Sequence, residues 1–314
     1  MVVYKPIESV DQSHMEFLIP ADYDTYVDPD IKLYIKGKLT KTDGTALDAT
    51  DHTDCTNNFL HSLFSQCNFA LNGVNVKESE DLYNYRALLE RLISYGADAS
   101  ISHLTNSYWY KDVGDMLPCD PTKAESENTG FIDRWNGQKH SKEIEMFGII
   151  HSDICNVSKF LLPDIKLQIK FTKAKPSFYL MDTAADSKTT FKFLDGKLFV
   201  RRIRANPQIP LAHEETLKTD LARYNLTRVE LKTFTFSAEP QSLSIDQAVM
   251  GSIPKRLLIA NNDFLGTINR NPYNFQHFGL RTFVMYVNGR EIPSESLTID
   301  PGHEKITVMA YKSI

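Results

Sequence analysis

The sequence predicts a mainly β protein that is built from two tandem β-sandwiches. Three observations support this prediction: strands in which apolar and polar residues alternate, a hairpin motif that recurs at long range, and few helical segments. Short strands separated by turn signals are typical of sandwiches and barrels. The chain has 314 residues, a length that suggests about two domains. We therefore expect a first sandwich over residues 1–190 and a second over residues 191–314.

A motif around an Asn-Gly pair occurs twice, and it relates the two predicted sandwiches. The second copy follows the first by 216 positions (274 − 58 = 216), so that Asn58, Phe59, His61, Asn72 and Gly73 recur as Asn274, Phe275, His277, Asn288 and Gly289. Asn-Gly is typical of a type I′ turn, because both central residues need positive φ. Each copy therefore predicts a lead-in with Phe and His, a strand, a tight turn and a returning strand.

The first copy contains the clearest strands of the chain. Alternation of apolar and polar residues predicts strands at residues 14–19, 31–39, 144–150 and 165–172. Residues 191–204 predict one or two further strands with a turn at Asp195-Gly196. Residues 111–141 are expected to form a long polar loop.

A helical insertion near residues 81–104 interrupts this β pattern. Leu82, Tyr85, Leu89, Leu92 and Ile93 follow helical spacing and predict one apolar face over residues 81–95. Asp81 is the expected N-cap, Gly96 the expected residue after the helix, and Arg86 with Glu90 an expected i,i+4 ion pair. A second short helix is expected over residues 97–104, and another over residues 211–224.

In the second copy, strands are predicted at residues 229–236, 255–260, 280–287 and 305–311. Applying the offset of 216 places the counterpart of strand 14–19 at residues 230–235, and the order of strands and hairpin is preserved. Residue 314 corresponds to position 98 of the repeat (314 − 216 = 98). The second sandwich is therefore expected to be incomplete, with open strand edges.

Composition limits the functional classes. The net charge of −5 gives no overall cationic signature for nucleic acid or anionic lipid. The N-terminus lacks the apolar run of a signal peptide, and no run approaches the ~20 residues of a membrane span. We expect an intracellular protein without membrane contact, whose four cysteines, none of them in a C-x-x-C pair, stay reduced.

No catalytic motif stands out, so neither enzymatic activity nor a cofactor is predicted. His213-Glu214-Glu215 does not continue as H-E-x-x-H, and the phosphate-binding and nucleophile-elbow motifs are absent from the sequence. His61 and His277 suggest either a metal ligand or pH switch, or a hydrogen-bonded histidine that fixes the lead-in to each hairpin. We favour the hydrogen-bonded histidine, because no second ligand lies at metal spacing.

Basic residues cluster at two places on this otherwise acidic chain. One cluster consists of Arg201, Arg202 and Arg204, and the other of Lys166, Lys170, Lys173 and Lys175. A cluster that faces DNA would contact phosphates without reading sequence. The alternative, a solvated strand face, is the commoner situation for such residues.

Several segments resemble the major capsid protein of Maverick/Polinton elements and their adintovirus-like relatives. They include Ser-Tyr-Trp-Tyr-Lys-Asp at residues 107–112, Ile-Pro-Lys-Arg at 253–256 and Asn-Pro-Tyr-Asn-Phe-Gln-His-Phe at 271–278, with shorter matches at residues 60–66, 72–73, 85–87, 94–96, 286–289 and 292–293. The resemblance extends over roughly residues 10 to 295. Residues 294–314 match nothing in that pattern, which would make this chain a copy that is incomplete at its C-terminus.

The resemblance implies a fold and a role. Members of the family are double jelly rolls: two eight-stranded sandwiches lie side by side, and three chains form a pseudo-hexagonal capsomer of an icosahedral particle. It thus implies a homotrimer, lattice neighbours, a minor (penton) capsid protein as partner, packaged DNA and a place in the virion. Such copies also occur as relics in animal genomes. The alternatives are a co-opted host binding module, carbohydrate-binding or otherwise, and an enzyme on a jelly-roll scaffold such as a cupin.

Overall fold

The computed structural model describes residues 1–10, 13–48, 50–77, 81–123, 125–184, 187–236, 242–262, 267–292 and 297–298. The chain forms two compact units. The first comprises Met1–Leu231 with Leu265–Asn271, and the second comprises Lys232–Phe264 with Pro272–Ile314. The strand predicted at residues 305–311 lies outside the described residues.

The first unit is mainly β. Its strands are β1 (Val2–Tyr4), β2 (His14–Ile19), β3 (Thr25–Val27), β4 (Lys32–Lys41), β5 (Asp54–Cys55), β6 (Phe64–Leu71), β7 (Val74–Lys77), β8 (Ile144–Ile149), β9 (Leu167–Lys173), β10 (Leu180–Met181), β11 (Thr189–Val200) and β12 (Arg202–Arg204). Its helices are α1 (Phe59–Ser62), α2 (Tyr83–Ser94), α3 (Ala97–Ser100), α4 (Thr129–Gln138), α5 (Pro176–Tyr179) and α6 (Gln208–Leu217). Single 3₁₀ turns lie at His103–Ser107, Lys139–Ser141 and Ile154–Asn156.

Two four-stranded antiparallel sheets form a β-sandwich. One sheet has the order β1-β11-β4-β8 and the other the order β2-β9-β6-β7. The chain passes repeatedly from one sheet to the other. Strands β2, β6, β7 and β9 belong to one sheet, and β4, β8 and β11, which lie between them or after them in sequence, belong to the other. Sequential strands that lie in opposite sheets are a feature of Greek-key and jelly-roll sandwiches. The predicted fold class, a mainly β chain with a sandwich, is confirmed.

The core fills the space between the sheets because one face of each strand is apolar. Met15, Phe17 and Ile19 of β2 are buried against Leu33, Ile35 and Leu39 of β4 and their neighbours. The rings of Phe64 and Phe171 lie 4.9 Å apart, and Phe64 also reaches Phe193 of the opposite sheet, 6.2 Å between ring centroids. Period-two alternation therefore predicted the core correctly at these strands.

Two glycines allow close contacts in this core. A Cβ atom on Gly37 of β4 would lie 2.3 Å from the ring of Phe191, and one on Gly196 of β11 would lie 2.8 Å from the Met15 sulfur. Gly196 was predicted to turn the chain with Asp195. That prediction is wrong, because β11 continues through both residues with a register shift between Phe193 and Asp195. Such a β-bulge absorbs one extra residue without ending the strand.

The helical insertion is present, but its orientation differs from the prediction. The N-cap is Leu82 rather than Asp81, and Gly96 has φ −84° rather than the left-handed value of a C′ glycine. The predicted apolar face is wrong at Leu92 and Ile93, which are 48% and 61% exposed. The buried face instead carries Tyr83, Asn84, Arg86, Ala87, Leu88 and Arg91. This helix packs on polar residues of the sandwich, including His61 and His151, so the spacing of its apolar residues did not identify its packed side.

Residues 111–141 were predicted to form a loop, and this is wrong for their second half. Helix α4 begins after Asn128, whose side chain accepts a hydrogen bond from Phe131 N at 3.2 Å. Two glycines in this helix made its sequence resemble a loop. A Cβ atom on Gly130 would lie 2.2 Å from the Lys111 carbonyl oxygen, and one on Gly137 would lie 2.2 Å from the Tyr108 hydroxyl. Close approach of neighbouring groups, rather than a turn, requires these glycines.

The helix predicted at residues 211–224 exists but is shifted towards the N-terminus, as α6, and none of its residues is buried. The strand predicted at residues 229–236 does not form. Its side chains alternate as in a strand, but no neighbouring strand in the described part of the chain pairs with it. A strand needs such a partner for its backbone hydrogen bonds.

The second unit contains short ladders among its described residues. Strand β13 (Thr282–Phe283) pairs with β16 (Leu297–Thr298), and β14 (Tyr286–Val287) pairs with β15 (Arg290–Glu291) across the second Asn-Gly turn. The strand predicted at residues 255–260 has no regular secondary structure. The strand predicted at residues 280–287 is present only as the two short pieces β13 and β14.

Candidate functional site

A buried polar network joins the first copy of the repeated motif to the helical insertion. It begins in the lead-in, where Asn58 precedes α1 in the left-handed conformation, with φ 57°. Asparagine tolerates this conformation better than most residues, because its short polar side chain bonds locally. The side chain of the preceding Asn57 accepts hydrogen bonds from Tyr110 N and Asn58 N, both at 2.8 Å. The lead-in is thus tied to the segment that follows the insertion.

His61 lies at the centre of the network and is fully buried. Its Nε2 atom is 2.9 Å from Arg91 Nη2, and its Nδ1 atom is 3.0 Å from the Tyr83 hydroxyl. A guanidinium only donates hydrogen bonds, so Nε2 must accept and Nδ1 must carry the proton. Burial, Arg91 and His151 hold the pKa of His61 well below its usual value. His61 is therefore a neutral imidazole with both nitrogen atoms hydrogen-bonded.

Arg91 binds three parts of the chain from α2. Its Nη1 atom donates to Asn58 Oδ1 at 2.6 Å and also to the hydroxyl of Ser107. Its guanidinium lies over the ring of Trp109, 5.9 Å from the centroid. A charge that is buried in this way needs several hydrogen bonds to offset its desolvation. Arg91 therefore fixes α2 to the lead-in and to the Ser107–Trp109 segment together.

His151, which lies two residues after the end of β8, extends the network on its other side. The rings of His61 and His151 are 4.8 Å apart and nearly perpendicular. Nδ1 of His151 lies 2.7 Å from Glu90 Oε2, and Arg86 connects Glu90 with Asp153 through contacts of 2.8 and 2.7 Å. The expected pair between Arg86 and Glu90 is thus present. Burial would raise the pKa of Glu90, but its hydrogen bonds to His151 and Arg86 bring it below the usual value.

A second buried centre surrounds Arg134 of α4. Nη2 donates to Asp112 Oδ1 at 2.6 Å and Nε donates to the Cys55 carbonyl at 2.8 Å, while Asp54 Oδ2 lies 3.3 Å from Nε. Asn271 Nδ2 donates to the other oxygen of Asp112 at 3.0 Å. Burial raises the pKa of Asp54 to about 7, although the Arg134 charge acts in the opposite direction. Arg134 therefore connects β5, α4 and the segment from Tyr110 to Asp112.

The two copies of the motif share their turns but not their lead-ins. Asn72 and Gly73 have φ 49° and 82°, and Asn288 and Gly289 have φ 51° and 78°, as a type I′ turn requires. Phe59 is fully buried, and its ring centroid lies 5.1 Å from that of Phe191. Asn274 and Phe275, in contrast, precede an irregular segment. His277 is exposed, and its Nδ1 atom accepts a hydrogen bond from Gly279 N at 3.0 Å. His61 and His277 thus have different surroundings.

The arginine cluster at β12 is compensated by acidic residues. Arg202 is held by Asp22 at 3.0 Å and by the carbonyl of Pro20, while Arg201 contacts Asp28 at 2.8 Å. Arg204 is 74% exposed and 4.0 Å from Asp24. Of the lysine cluster, Lys173 donates to the Val10 carbonyl and lies over the ring of Phe193. Each of the three arginines therefore has a nearby aspartate, which reduces the positive charge available to a phosphate.

The described residues form no cluster of three or more His, Cys, Asp or Glu side chains that could hold a metal ion. In the same part of the chain, no helix has the length and apolarity needed to cross a membrane. The four cysteines are free thiols. The hydrogen bonds and ion pairs of the two buried networks fix elements of the first unit to one another.

The sequence indicated only some of these residues. It identified His61 and Asn58 through the repeat, and the pair of Arg86 and Glu90 through helical spacing. It did not identify Arg91, His151, Arg134 or Asp112, because each is a polar residue in a polar segment. The one available signal was local: Asp112 lies within the Ser-Tyr-Trp-Tyr-Lys-Asp segment that carries the family resemblance.

Comparison with known proteins gives the following similarities. No family model matches the sequence. The chain is 20% identical over 263 residues to the Caenorhabditis elegans "Uncharacterized protein F54H12.2", a match that covers 81% of this chain and 59% of that protein. The chain therefore spans less than two thirds of that relative's length.

Among solved structures, the chain is similar in part to three viral ones. The Faustovirus major capsid protein matches with a TM-score of 0.41 and 10% identity, over 69% of this chain and 56% of that chain. A chain of the Sputnik virophage structure matches with a TM-score of 0.39 and 10% identity, over 67% of this chain and 48% of that chain. The mavirus major capsid protein matches with a TM-score of 0.38 and 12% identity, over 66% of this chain and 47% of that chain. Overlap of this extent leaves the function to be inferred from the chain's own residues and geometry.

Proposed function

We propose that this chain is a structural protein of the major capsid protein type, or a genomic relic of one. The observation that carries the proposal is the repeated motif: both copies form an Asn-Gly hairpin, and the first belongs to a sandwich of two four-stranded sheets. A tandem pair of sandwiches is the architecture that the family resemblance implies. The role is geometric: rigid sandwiches provide the blocks and the segments between strands provide the contacts between copies.

The buried networks support this role. They hold the helical insertion and α4 on the sandwich, with His61, Arg91 and Arg134 each almost fully buried. Buried charged groups of this kind require fixed geometry, because an unpaired partner is costly. A building block that must present the same surface in every copy benefits from such fixed insertions. The proposal includes a homotrimer, lattice neighbours and a location in the virion.

The test is the mass of the folded protein in solution. Size-exclusion chromatography with light scattering is run over a series of concentrations, and electron microscopy follows on any large species. A trimer has three times the chain mass of 35.8 kDa. Trimers or larger closed assemblies are the expected outcome. A folded monomer at every concentration would contradict the proposal and would favour the co-opted binding module.

Two neighbouring residues of β9 provide a matched pair of variants. Phe171 is fully buried between the sheets, and the adjacent Thr172 is half-buried on the opposite face. Phe171→Ser is expected to abolish the discrete assembly, because it removes a large core ring. Thr172→Ser is expected to retain it. Equal assembly of both variants would show that the measured species does not depend on the folded sandwich.

The arginine cluster carries a separate proposal. If Arg201, Arg202 and Arg204 face packaged DNA, replacing all three by Glu should reduce non-specific DNA retention and its dependence on salt. The nearby aspartates predict a small effect. Unchanged retention would remove DNA contact from the roles of this cluster while leaving the capsid proposal intact.

A further inference from the structure

The His61–His151 pair lies between the sandwich and the helical insertion. His61 belongs to α1, His151 follows β8, and α2 covers both. His61 is 0% exposed and His151 is 4% exposed, and their ring centroids are 4.8 Å apart. Two imidazoles in such contact cannot both become charged without repelling each other.

Protonation of either ring disfavours the packed position of α2, through a lost hydrogen bond at His61 and through added buried charge at His151. Nε2 of His61 accepts from Arg91, so protonation there would replace a hydrogen bond by two facing donors 2.9 Å apart. Nδ1 of His151 donates to Glu90, which leaves its Nε2 atom as the position for a proton. That atom is buried and has no hydrogen-bond partner among the described residues, and the residue His151 lines a cavity of about 50 Å³. A cavity of this size can admit a water molecule that delivers the proton.

The surrounding charges are already balanced when both rings are neutral. Arg86 and Arg91 supply two positive charges, and Glu90 and Asp153 supply two negative charges. From the other packed elements, the nearby titratable groups are Tyr83 of α2, Cys67 of β6 and Cys155, and burial raises the pKa of each. Those three groups stay neutral between pH 5 and pH 8. Protonation of the pair therefore adds buried positive charge beyond what Glu90 and Asp153, already paired with the two arginines, balance.

We propose that the His61–His151 pair is an acid-sensitive latch, which holds α2 on the sandwich near neutral pH and releases it on acidification. The latch lies at the contact of one helix with the sandwich, whereas the two sheets are held together by an apolar core to which α2 contributes Tyr83. Acid should therefore loosen α2 before it unfolds the strands. This inference stands independently of the proposed capsid role.

The direction of the pH effect follows from linkage. Burial lowers the pKa of His151, although its hydrogen bond to Glu90 opposes this, and the pKa of His61 is well below its usual value. When α2 opens, both rings regain a pKa near 6.5 and bind protons more readily. The opening equilibrium of α2 should thus be constant above about pH 6.5. Below that value it should rise by up to about tenfold per pH unit for each histidine.

Amide hydrogen exchange of the whole chain tests this directly. Protection factors, which are corrected for the intrinsic exchange rate at each pH, are compared between pH 7.5 and pH 5.0 for α2 and for β4 in the same sample. The expected result is a loss of protection in α2 of at least tenfold while β4 changes little. Equal changes in α2 and β4, or no change in α2, would overturn the proposal.

A pair of glutamine variants separates the latch from general acid sensitivity. In the double variant His61→Gln with His151→Gln, the amides can accept and donate as the neutral rings do but do not titrate. The double variant should keep α2 protected at pH 5.0. His103→Gln, at an exposed histidine in the 3₁₀ turn after α3, should leave the wild-type response unchanged.

Each outcome of the variants decides the proposal. A double variant that still loses α2 protection in acid, in parallel with the wild type, would overturn it. If the double variant has lost α2 already at pH 7.5, the single variant His151→Gln takes its place, with a reduced pH response as the expected result. The wild-type comparison of α2 with β4 holds independently of any variant.

Discussion

Arg134 is the residue whose loss should be most damaging to stability. It is fully buried, and its guanidinium contacts Asp112, Asp54 and two backbone carbonyls. Arg134→Met is expected to lower the free energy of unfolding by about 3–5 kcal/mol, because both carboxylates remain buried without their partner. Urea unfolding followed by circular dichroism would measure the change.

Arg204→Met is the matched control for this prediction. Arg204 is 74% exposed and 4.0 Å from Asp24, so its removal should change the free energy of unfolding by less than about 0.5 kcal/mol. A similar loss for both variants would mean that the burial of Arg134 is not what makes it important. A negligible loss for Arg134→Met would show that the aspartates accommodate its absence, for example by protonation of Asp54.

At the same scale, the sequence reveals apolar partners more readily than polar ones. Phe17, Ile35 and Phe171 were identifiable as core residues because alternation in a strand has only two phases. His151 and Arg134 were not, because a buried polar residue is recognisable only from its partners, which lie far away in the chain. Arg134 is 80 residues from its partner Asp54 (134 − 54 = 80).

Among the elements, the two sheets could be predicted in greater part than the helices. Strands β2, β8 and β9 agree with the predicted ranges within about two residues, as expected where one face is apolar. Helix α2 was located, but its packed face was assigned to the wrong residues, because that face carries Arg91, which binds the polar lead-in, and Arg86, which binds Asp153. Helix α4 was missed, because its glycines usually mark loops.

Gly130 of α4 provides a test in which helix propensity and packing predict opposite signs. On propensity alone, Gly→Ala within a helix stabilises by roughly 1 kcal/mol. Here the added Cβ would lie 2.2 Å from the Lys111 carbonyl oxygen and 3.0 Å from Asp112 N, and backbone atoms cannot move aside easily. Gly130→Ala should therefore destabilise the protein by about 1–3 kcal/mol, as measured by thermal or urea unfolding.

Gly96→Ala serves as its counterpart. Gly96 has φ −84°, which alanine adopts without strain, and no heavy atom lies within 4 Å of the Cβ position. This variant should be neutral or slightly stabilising, by up to about 1 kcal/mol. If both variants were stabilising, the close approach between α4 and the Lys111 backbone would not exist in solution.

For the whole molecule, the repeat predicted the two Asn-Gly turns better than it predicted the strands of the second unit. Hairpins form at both Asn-Gly pairs, since the turn is determined by two adjacent residues. The strands predicted at residues 229–236 and 255–260 do not form, although residues 229–236 alternate between apolar and polar side chains. A hairpin forms from residues that are close in sequence, whereas a strand in a sandwich depends on partners that are distant in sequence. A local pattern alone therefore does not determine whether such a strand forms.

This contrast predicts where a protease first cuts the folded chain. Residues 242–260 have no regular secondary structure and are exposed, apart from the half-buried Ala248. They include Lys255 and Arg256, which trypsin can reach without opening a sheet. Limited trypsin digestion should therefore cleave after one of these two residues before it cleaves anywhere in residues 1–200, because local opening of a packed strand is rare. Mass spectrometry of the first fragments would identify the site.

Two double variants make the test specific. Lys255→Gln with Arg256→Gln should prolong the survival of the intact chain several-fold, whereas Lys38→Gln with Lys41→Gln, in the central strand β4, should leave the rate of its loss unchanged. First fragments that arise from cuts within β4 or β11 would contradict the prediction. That result would mean that the two-sheet sandwich opens as readily as the irregular segment, and that the apolar core between the sheets does not dominate the stability of the first unit.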